Sequence, residues 1–367
     1  MAKVSRRKIR WLFRAVLAFF WVFAVFACLE VWYRVRLRRA NSNEFVQQGL
    51  ERYKKFNASP ESACWDQLFW SYKKNAELRL EVGNLQFHIK INSRGLRSKE
   101  IQLPKPAGTY RILCIGGSTT VEGLTNETTY PSLLEKKLNR YFKTDAIEVI
   151  NGGISGLNSR TEKRKFLEYI ELKPDLVIQY NAVNDICWGI MPAWRETEPS
   201  LQKLFRRSVF INSAFNSYLL PKEKAIEQCF YDFTIANVFS VVGTARRNNI
   251  DFVTCTFAFP DFSGLSVDEL EYFDFNLRVF WRRKASVENY CRVVEIYNRC
   301  LREMCRTNNV LSIPVGEELK GGTNYFYDIC HMTPKGIEAK ADIIAAYVRK
   351  YLEDHGSLER ALKIERD

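Results

Sequence analysis

Histidine is scarce in this 367-residue chain, which has only His88, His331 and His355. That scarcity argues against a Cys/His zinc site, which needs several such ligands at short spacing. The ten cysteines do not supply one either, because no CxxC occurs and the closest pair, Cys300 and Cys305, is five residues apart. Cys114 and Cys255 fall in apolar, strand-like runs and read as buried small hydrophobes. Pairing among the others depends on the redox compartment and stays open. Internal repeats and low-complexity tracts are also lacking. What is present is the composition of a folded protein, 46% apolar and 14% aromatic. The length allows a membrane segment plus one large domain, or two modest ones.

Acidic residues are nearly missing from the first forty positions, where ten Lys and Arg face one acid, Glu30. Most of the net charge of +13 sits there. The excess flanks an apolar run instead of coating a domain, which points to membrane electrostatics and away from nucleic-acid binding. The run, Trp11 to Tyr33, has a charge-free core at Ala15–Leu29, short of the roughly 20 residues that cross the hydrocarbon. Arg14 and Glu30 at its ends can reach the headgroups. With them included, the helix is about 34 Å long, enough to span. Trp11, Trp32 and Tyr33 fall at interfacial positions. A cleaved signal peptide is the rival, but no A-x-A-like site follows the run. Val25-Phe26-Ala27-Cys28 is also a poor approximation to a lipoprotein processing site. The expectation is a single-pass anchor. More basic residues precede the core than follow it, which leans the N-terminus towards the cytoplasm and the globular part outside.

Residues 1–40 are therefore expected to form an anchor with basic flanks, 41–108 a lead-in, 109–353 an α/β domain and 354–367 a polar tail. In the lead-in, Leu78–Asn92 alternates around a Gly-Asn turn and predicts a hairpin. Pro104, Pro106 and Gly108 mark a linker. From Tyr110 onward strands alternate with helices. Strands are predicted at Arg111–Ile115, Ile147–Ile150, Asp175–Tyr180, Phe252–Phe257 and Val310–Ile313. Helices are predicted at Pro131–Phe142, Thr161–Leu172, Ile235–Asn248, Val287–Thr307 and Pro334–Leu352. This rhythm implies a parallel sheet covered on both faces. Two aromatic, basic stretches, Trp188–Phe230 and Pro260–Ser286, interrupt it after strands. Ligand sites in open α/β sheets lie beyond strand C-termini, so these insertions are expected to shape a substrate cleft.

Four segments carry candidate chemistry. Cys114-Ile115-Gly116-Gly117-Ser118-Thr119-Thr120 runs a strand into Gly-Gly-Ser, a turn that can present the Ser118 hydroxyl and N–H at the sheet edge. Asn151-Gly152-Gly153-Ile154-Ser155-Gly156 follows the second strand, where glycine lets a backbone N–H approach a ligand. Asn184-Asp185 follows the third strand and puts a side-chain amide at the same edge. In Asp328-Ile329-Cys330-His331, the Asp three residues before the His can orient its imidazole and stabilise an imidazolium. His88 lies in the lead-in and His355 in the tail, so a histidine base in the α/β domain is His331.

Together and in this order, the four segments resemble those of the SGNH, or GDSL-like, hydrolase family. The resemblance covers roughly Tyr110–Leu352. The lead-in Asn92-Ser93-Arg94-Gly95-Leu96-Arg97 is also similar to membrane-anchored bacterial members. The resemblance implies a flavodoxin-like three-layer α/β/α fold, with Ser118 as nucleophile, His331 as base and Asp328 as its orienter. The Ser118 and Gly156 N–H groups and the Asn184 side chain would form the oxyanion hole. Two positions depart from the family pattern. Gly117 stands where an Asp is usual, and Ala182 stands where a Gly is usual two residues before Asn184. Neither removes a catalytic group, and no metal or organic cofactor is implied.

The expected activity is an esterase removing small acyl groups, such as acetyl, from an extracytoplasmic glycan or lipid. The alternatives are an O-acyltransferase acting on a cell-surface polysaccharide with the same triad, and a non-catalytic glycan-binding protein on the same scaffold. Oligomeric state is not legible in the sequence.

Overall fold

The computed structural model describes residues 6–40, 65–66, 71–82, 85–191, 208–215, 220–279, 281, 285–356 and 358–359. Helix α1 (Arg6–Ala40) is continuous, and its stretch Ile9–Arg36 is long and apolar enough to cross a membrane. A two-residue ladder pairs β1 (Trp65–Asp66) with β2 (Ser71–Tyr72). The hairpin expected in the lead-in is present as β3 (Glu77–Val82) paired antiparallel with β4 (Leu85–Lys90). Its Gly83-Asn84 turn lies outside the described residues.

The α/β unit begins with β5 (Tyr110–Gly116), every residue of which is buried. It continues through α2 (Ser118–Val121), α3 (Tyr130–Phe142), β6 (Ile147–Asn151), α4 (Ser159–Tyr169) and β7 (Leu176–Tyr180). A π-helical turn, Asp185–Ile190, follows, then α5 (Val209–Ala214), α6 (Glu223–Cys229), α7 (Ala236–Arg247) and β8 (Asp251–Cys255). The chain closes with α8 (Val267–Val279), α9 (Val287–Thr307), β9 (Leu311–Ile313), α10 (Val315–Glu318) and α11 (Pro334–His355). The five strands are parallel in the order β6-β5-β7-β8-β9. The first strand of the set therefore lies inside the sheet, between the second and the third. This is the doubly wound arrangement whose ligand crevice opens where the strand order reverses, between β5 and β7.

Alternation along the strands divides the core. On β5, Ile112 and Cys114 face one layer with α3, α9 and α11, while Leu113 and Ile115 face the other with α4 and α7. Caps explain several boundaries. Asn158 accepts the Thr161 N–H, which starts α4 at Ser159 and not at the predicted Thr161, and Ile170–Leu172 winds as 3-10 helix. Thr333 caps α11, with Pro334 at its first position. The predicted helix near Ile235 extends a longer run, because α6, a π-helical turn at Phe230–Ile235 and α7 follow without a break. The described part of the lead-in packs on this unit. Tyr72, Ile89 and Ile91 share a small core with Val121, Ile154 and Leu157.

Candidate active site

The segments singled out in the sequence meet at the C-terminal edge of the sheet. Ser118 is the first residue of α2, straight after β5. Asp328 and His331 lie on the turn that enters α11. The Ser118 Oγ stands 2.8 Å from His331 Nε2, and His331 Nδ1 stands 2.7 Å from Asp328 Oδ2. Asp328 is fully buried and its Oδ1 accepts the backbone N–H groups of Cys330 and His331, at 2.8 and 2.6 Å. Burial pushes its carboxyl up. The adjacent His331 and these hydrogen bonds outweigh that and hold it below the ordinary carboxylate value. An ionised Asp328 places the imidazole proton on Nδ1 and leaves Nε2 to accept from Ser118.

Gly156 has φ +82°, the left-handed region that favours glycine. Its loop is propped by Tyr72 of the lead-in, whose hydroxyl accepts the Ser155 N–H at 3.0 Å. The Asn184 amide donates to the Leu157 carbonyl at 2.8 Å and has a second hydrogen to offer. The departure at Gly117 has a local reason, since a Cβ there would stand 2.8 Å from Asn184 Nδ2. Among the described residues, the Ser118 and Gly156 N–H groups meet no acceptor. The structure thus brings Ser118, Asp328 and His331 into one hydrogen-bonded row, with Asn184 next to Gly117 and the Leu157 carbonyl.

Several residues that support this row escaped the sequence reading. Glu122 and Lys340 form a fully buried ion pair of 2.8 Å. Lys340 also donates to the Thr119 carbonyl at 2.6 Å, and Glu122 accepts the Met332 N–H at 2.9 Å. The pair therefore ties the residue after Ser118 to the residue after His331. Lys340 lies 4.8 Å from the centroids of both Tyr130 and Tyr180. A signal was available, because Lys340 shares the apolar face of α11 with Ile337, Ala341 and Ile344. The Asn-Ser-Arg-Gly-Leu-Arg segment also gains a role. Its Arg97 is buried and donates to the carbonyls of Val121 and Gly123, at 2.9 and 2.8 Å, under the turn that carries Ser118.

The two insertions reach the site through aromatic rings. Trp281 stacks near His331, with centroids 6.1 Å apart and planes at 25°. Trp188, which is exposed, lies 6.4 Å from Trp281. On the other side, Glu162 accepts from Gln179 and Asn181, and Asp185 accepts from Ser159. Burial pushes Glu162 up to about 7 and Asp185 up to about 6, despite those hydrogen bonds.

Asp328, Cys330 and His331 also offer three ligand atoms within 4.8 Å of one another. The hydrogen bonds already described occupy both Asp328 oxygens and His331 Nδ1, and burial drives the Cys330 thiol well above its ordinary range. That donor set fits a proton relay better than a metal. The described cysteines are free thiols, most of them buried.

The model of the GDSL-like lipase/acylhydrolase family matches residues 114–339. No curated protein matches the sequence. Solved structures similar in fold include a GDSL-like lipase from Bacteroides thetaiotaomicron, 17% identical, covering 67% of this chain and 88% of its own, with a TM-score of 0.38. An acetylxylan esterase from Geobacillus stearothermophilus is 19% identical over 65% of this chain and 93% of its own, at 0.40. The psychrotrophic esterase EstA of a Pseudoalteromonas species is 15% identical over 66% and 98%, at 0.41.

Proposed function

Because the chain belongs to the GDSL-like lipase/acylhydrolase family, we propose that it is a serine esterase whose nucleophile is Ser118, with His331 as general base and Asp328 as orienter. The observation that carries this assignment is the unbroken row from Ser118 Oγ through His331 to Asp328, with links of 2.8 and 2.7 Å. His331 Nε2 takes the hydroxyl proton as Ser118 Oγ attacks the ester carbonyl, and the ionised Asp328 stabilises the imidazolium. The charge on the carbonyl oxygen falls to the Ser118 and Gly156 N–H groups and the free hydrogen of Asn184. Removing one such donor costs about a hundredfold or more in rate. His331 then returns the proton to the leaving alcohol, and water clears the acyl-enzyme by the same route in reverse.

The substrate proposed is an acyl ester of a glycan or lipid outside the cytoplasm, reached by a domain tethered through α1. The basic residues before the apolar core support that orientation. Hydrolysis of p-nitrophenyl acetate by the full chain, beside its Ser118→Ala variant, tests the chemistry. Turnover that disappears with Ser118 is the expected result, and equal rates in both proteins would remove Ser118 from the mechanism.

A further inference from the structure

Glu30 is an acid directly after the charge-free stretch of α1, a placement that is costly unless the carboxylate is fully engaged. It is. Arg34, one turn on, donates at 2.8 Å. The remaining lone pairs are taken by the insertion 178 residues away. The Ser208 hydroxyl donates at 2.7 Å, and the N–H groups of Val209 and Phe210 donate at 3.1 and 3.0 Å. Phe210 then packs its ring between Phe26 and Tyr33, at centroid distances of 5.7 and 5.5 Å. Phe26 lies four residues before Glu30, about 6 Å deeper along the helix. Phe210 therefore reaches past the last charged position into the apolar core of α1. Phe215, at the end of α5, rests on Phe210 and is 45% exposed.

A second contact joins the same end of α1 to the site. Arg36 pairs with Glu271 of α8 at 3.6 Å. The next residue, Tyr272, donates its hydroxyl to the carbonyl of Tyr327, the neighbour of Asp328. One helix thus separates the membrane segment from the Ser118–His331–Asp328 row. The exposed Trp188 continues the aromatic path outward from Trp281.

We infer that the 208–215 insertion, held by Glu30 and Phe26, is seated in the interfacial layer of the bilayer that carries α1, so that the site acts on acyl esters displayed at the lipid surface. The occupant of the exposed Phe215 face is the lipid itself, because Phe215 is continuous with a ring packed on a membrane-spanning segment. The substrate half of this inference rests on the esterase reading, whereas the docking half does not.

The test uses the full chain in vesicles of phosphatidylcholine and phosphatidylglycerol, with benzoylphenylalanine placed at Phe215. The control carries it at Tyr141, which is exposed at the C-terminal end of α3, near the sheet edge opposite the site. Light should give a lipid adduct at 215 and none at 141. Glu30→Ala and Phe210→Ala should each weaken the adduct. Each should also slow hydrolysis of an alkyl-anchored acetyl ester in the vesicles about tenfold, because lost docking lowers the effective concentration of substrate at the site. Their rates on soluble p-nitrophenyl acetate should stay near those of the unmodified chain. Absence of an adduct at 215, equal losses on both esters, or recovery of a chain cleaved after α1 would overturn the inference. An unmodified chain inactive on both esters would sink the esterase reading and the substrate half with it, and the adduct pattern would still decide the docking.

Discussion

Asp328 illustrates how one carboxylate can do two jobs through its two oxygens. Oδ2 faces His331 Nδ1, while Oδ1 takes the N–H groups of Cys330 and His331 and so fixes the turn that carries the imidazole. Asp328→Asn keeps most of the shape but can present an amide N–H to Nδ1, which would force the proton onto Nε2. The variant should fold and should lose roughly 10⁴-fold in kcat on p-nitrophenyl acetate, as expected when the base is held in the wrong tautomer. A loss of tenfold or less would mean that His331 is oriented by something else. The same lowered carboxyl carries a stability consequence. Because its folded value lies below the ordinary one, the stabilisation is complete above that ordinary value and drains away as pH falls through the folded one.

At the scale of elements, the link between α2 and α11 decides whether Ser118 and His331 stay in register. Glu122 and Lys340 reach the backbone on either side of the site, and neither touches water. Removing one partner leaves a buried charge uncompensated, which typically costs about 3–5 kcal/mol. Glu122→Gln and Lys340→Met are each expected to lower the unfolding midpoint strongly. The double variant should recover part of that loss, since Met can fill the space between Tyr130 and Tyr180. Urea unfolding of the four proteins, read as a double-mutant cycle, checks this, and simple additivity would show that the pair is not coupled.

The elements themselves were largely legible. The alternation of apolar strands with amphipathic helices located all five strands of the parallel sheet, and the four segments found its C-terminal edge. What escaped notice depends on contacts distant in sequence. Nothing near Lys340 announces Glu122, 218 residues earlier. Nothing near Trp281 announces His331. The start of α4 was misplaced by two residues because the cap at Asn158 outweighed the apolar pattern that begins later. The proline and glycine signals marked a linker, yet the lead-in before them is packed against the Val121 and Ser155 backbone through Arg97 and Tyr72.

For the whole molecule, the buried acids beside Asn184 set a pH dependence. Glu162 and Asp185 have folded values above their ordinary 4.5 and 3.8, at about 7 and about 6. The folded state therefore holds protons that the unfolded chain has released, and stability falls as pH rises across that window. Above it, Glu162 carries an ionisation cost of at most about 3 kcal/mol. Glu162→Gln should stabilise the protein at pH 8, flatten the slope between pH 4.5 and 7, and change little at pH 4. Its new amide can donate to Gln179 Oε1 or Asn181 Oδ1, neither of which has a donor among the described residues. Thermal unfolding of the full chain in detergent across that range is the measurement, and an unchanged slope would assign the pH response elsewhere.

The separation of 178 positions between Glu30 and Ser208 also imposes an order on biogenesis. With α1 seated in a bilayer as inferred above, the helix leaves the ribosome before residues 208–215, and its acid must wait for the segment that satisfies it. At roughly 5–20 residues per second the wait is about ten to forty seconds. During that interval Arg34 is the only one of the four hydrogen-bond donors already synthesised. The nascent helix is then free to ride higher in the bilayer, with Glu30 in the headgroups. Completion of the domain would draw the acid to its final depth, so that anchoring is finished by the fold it anchors.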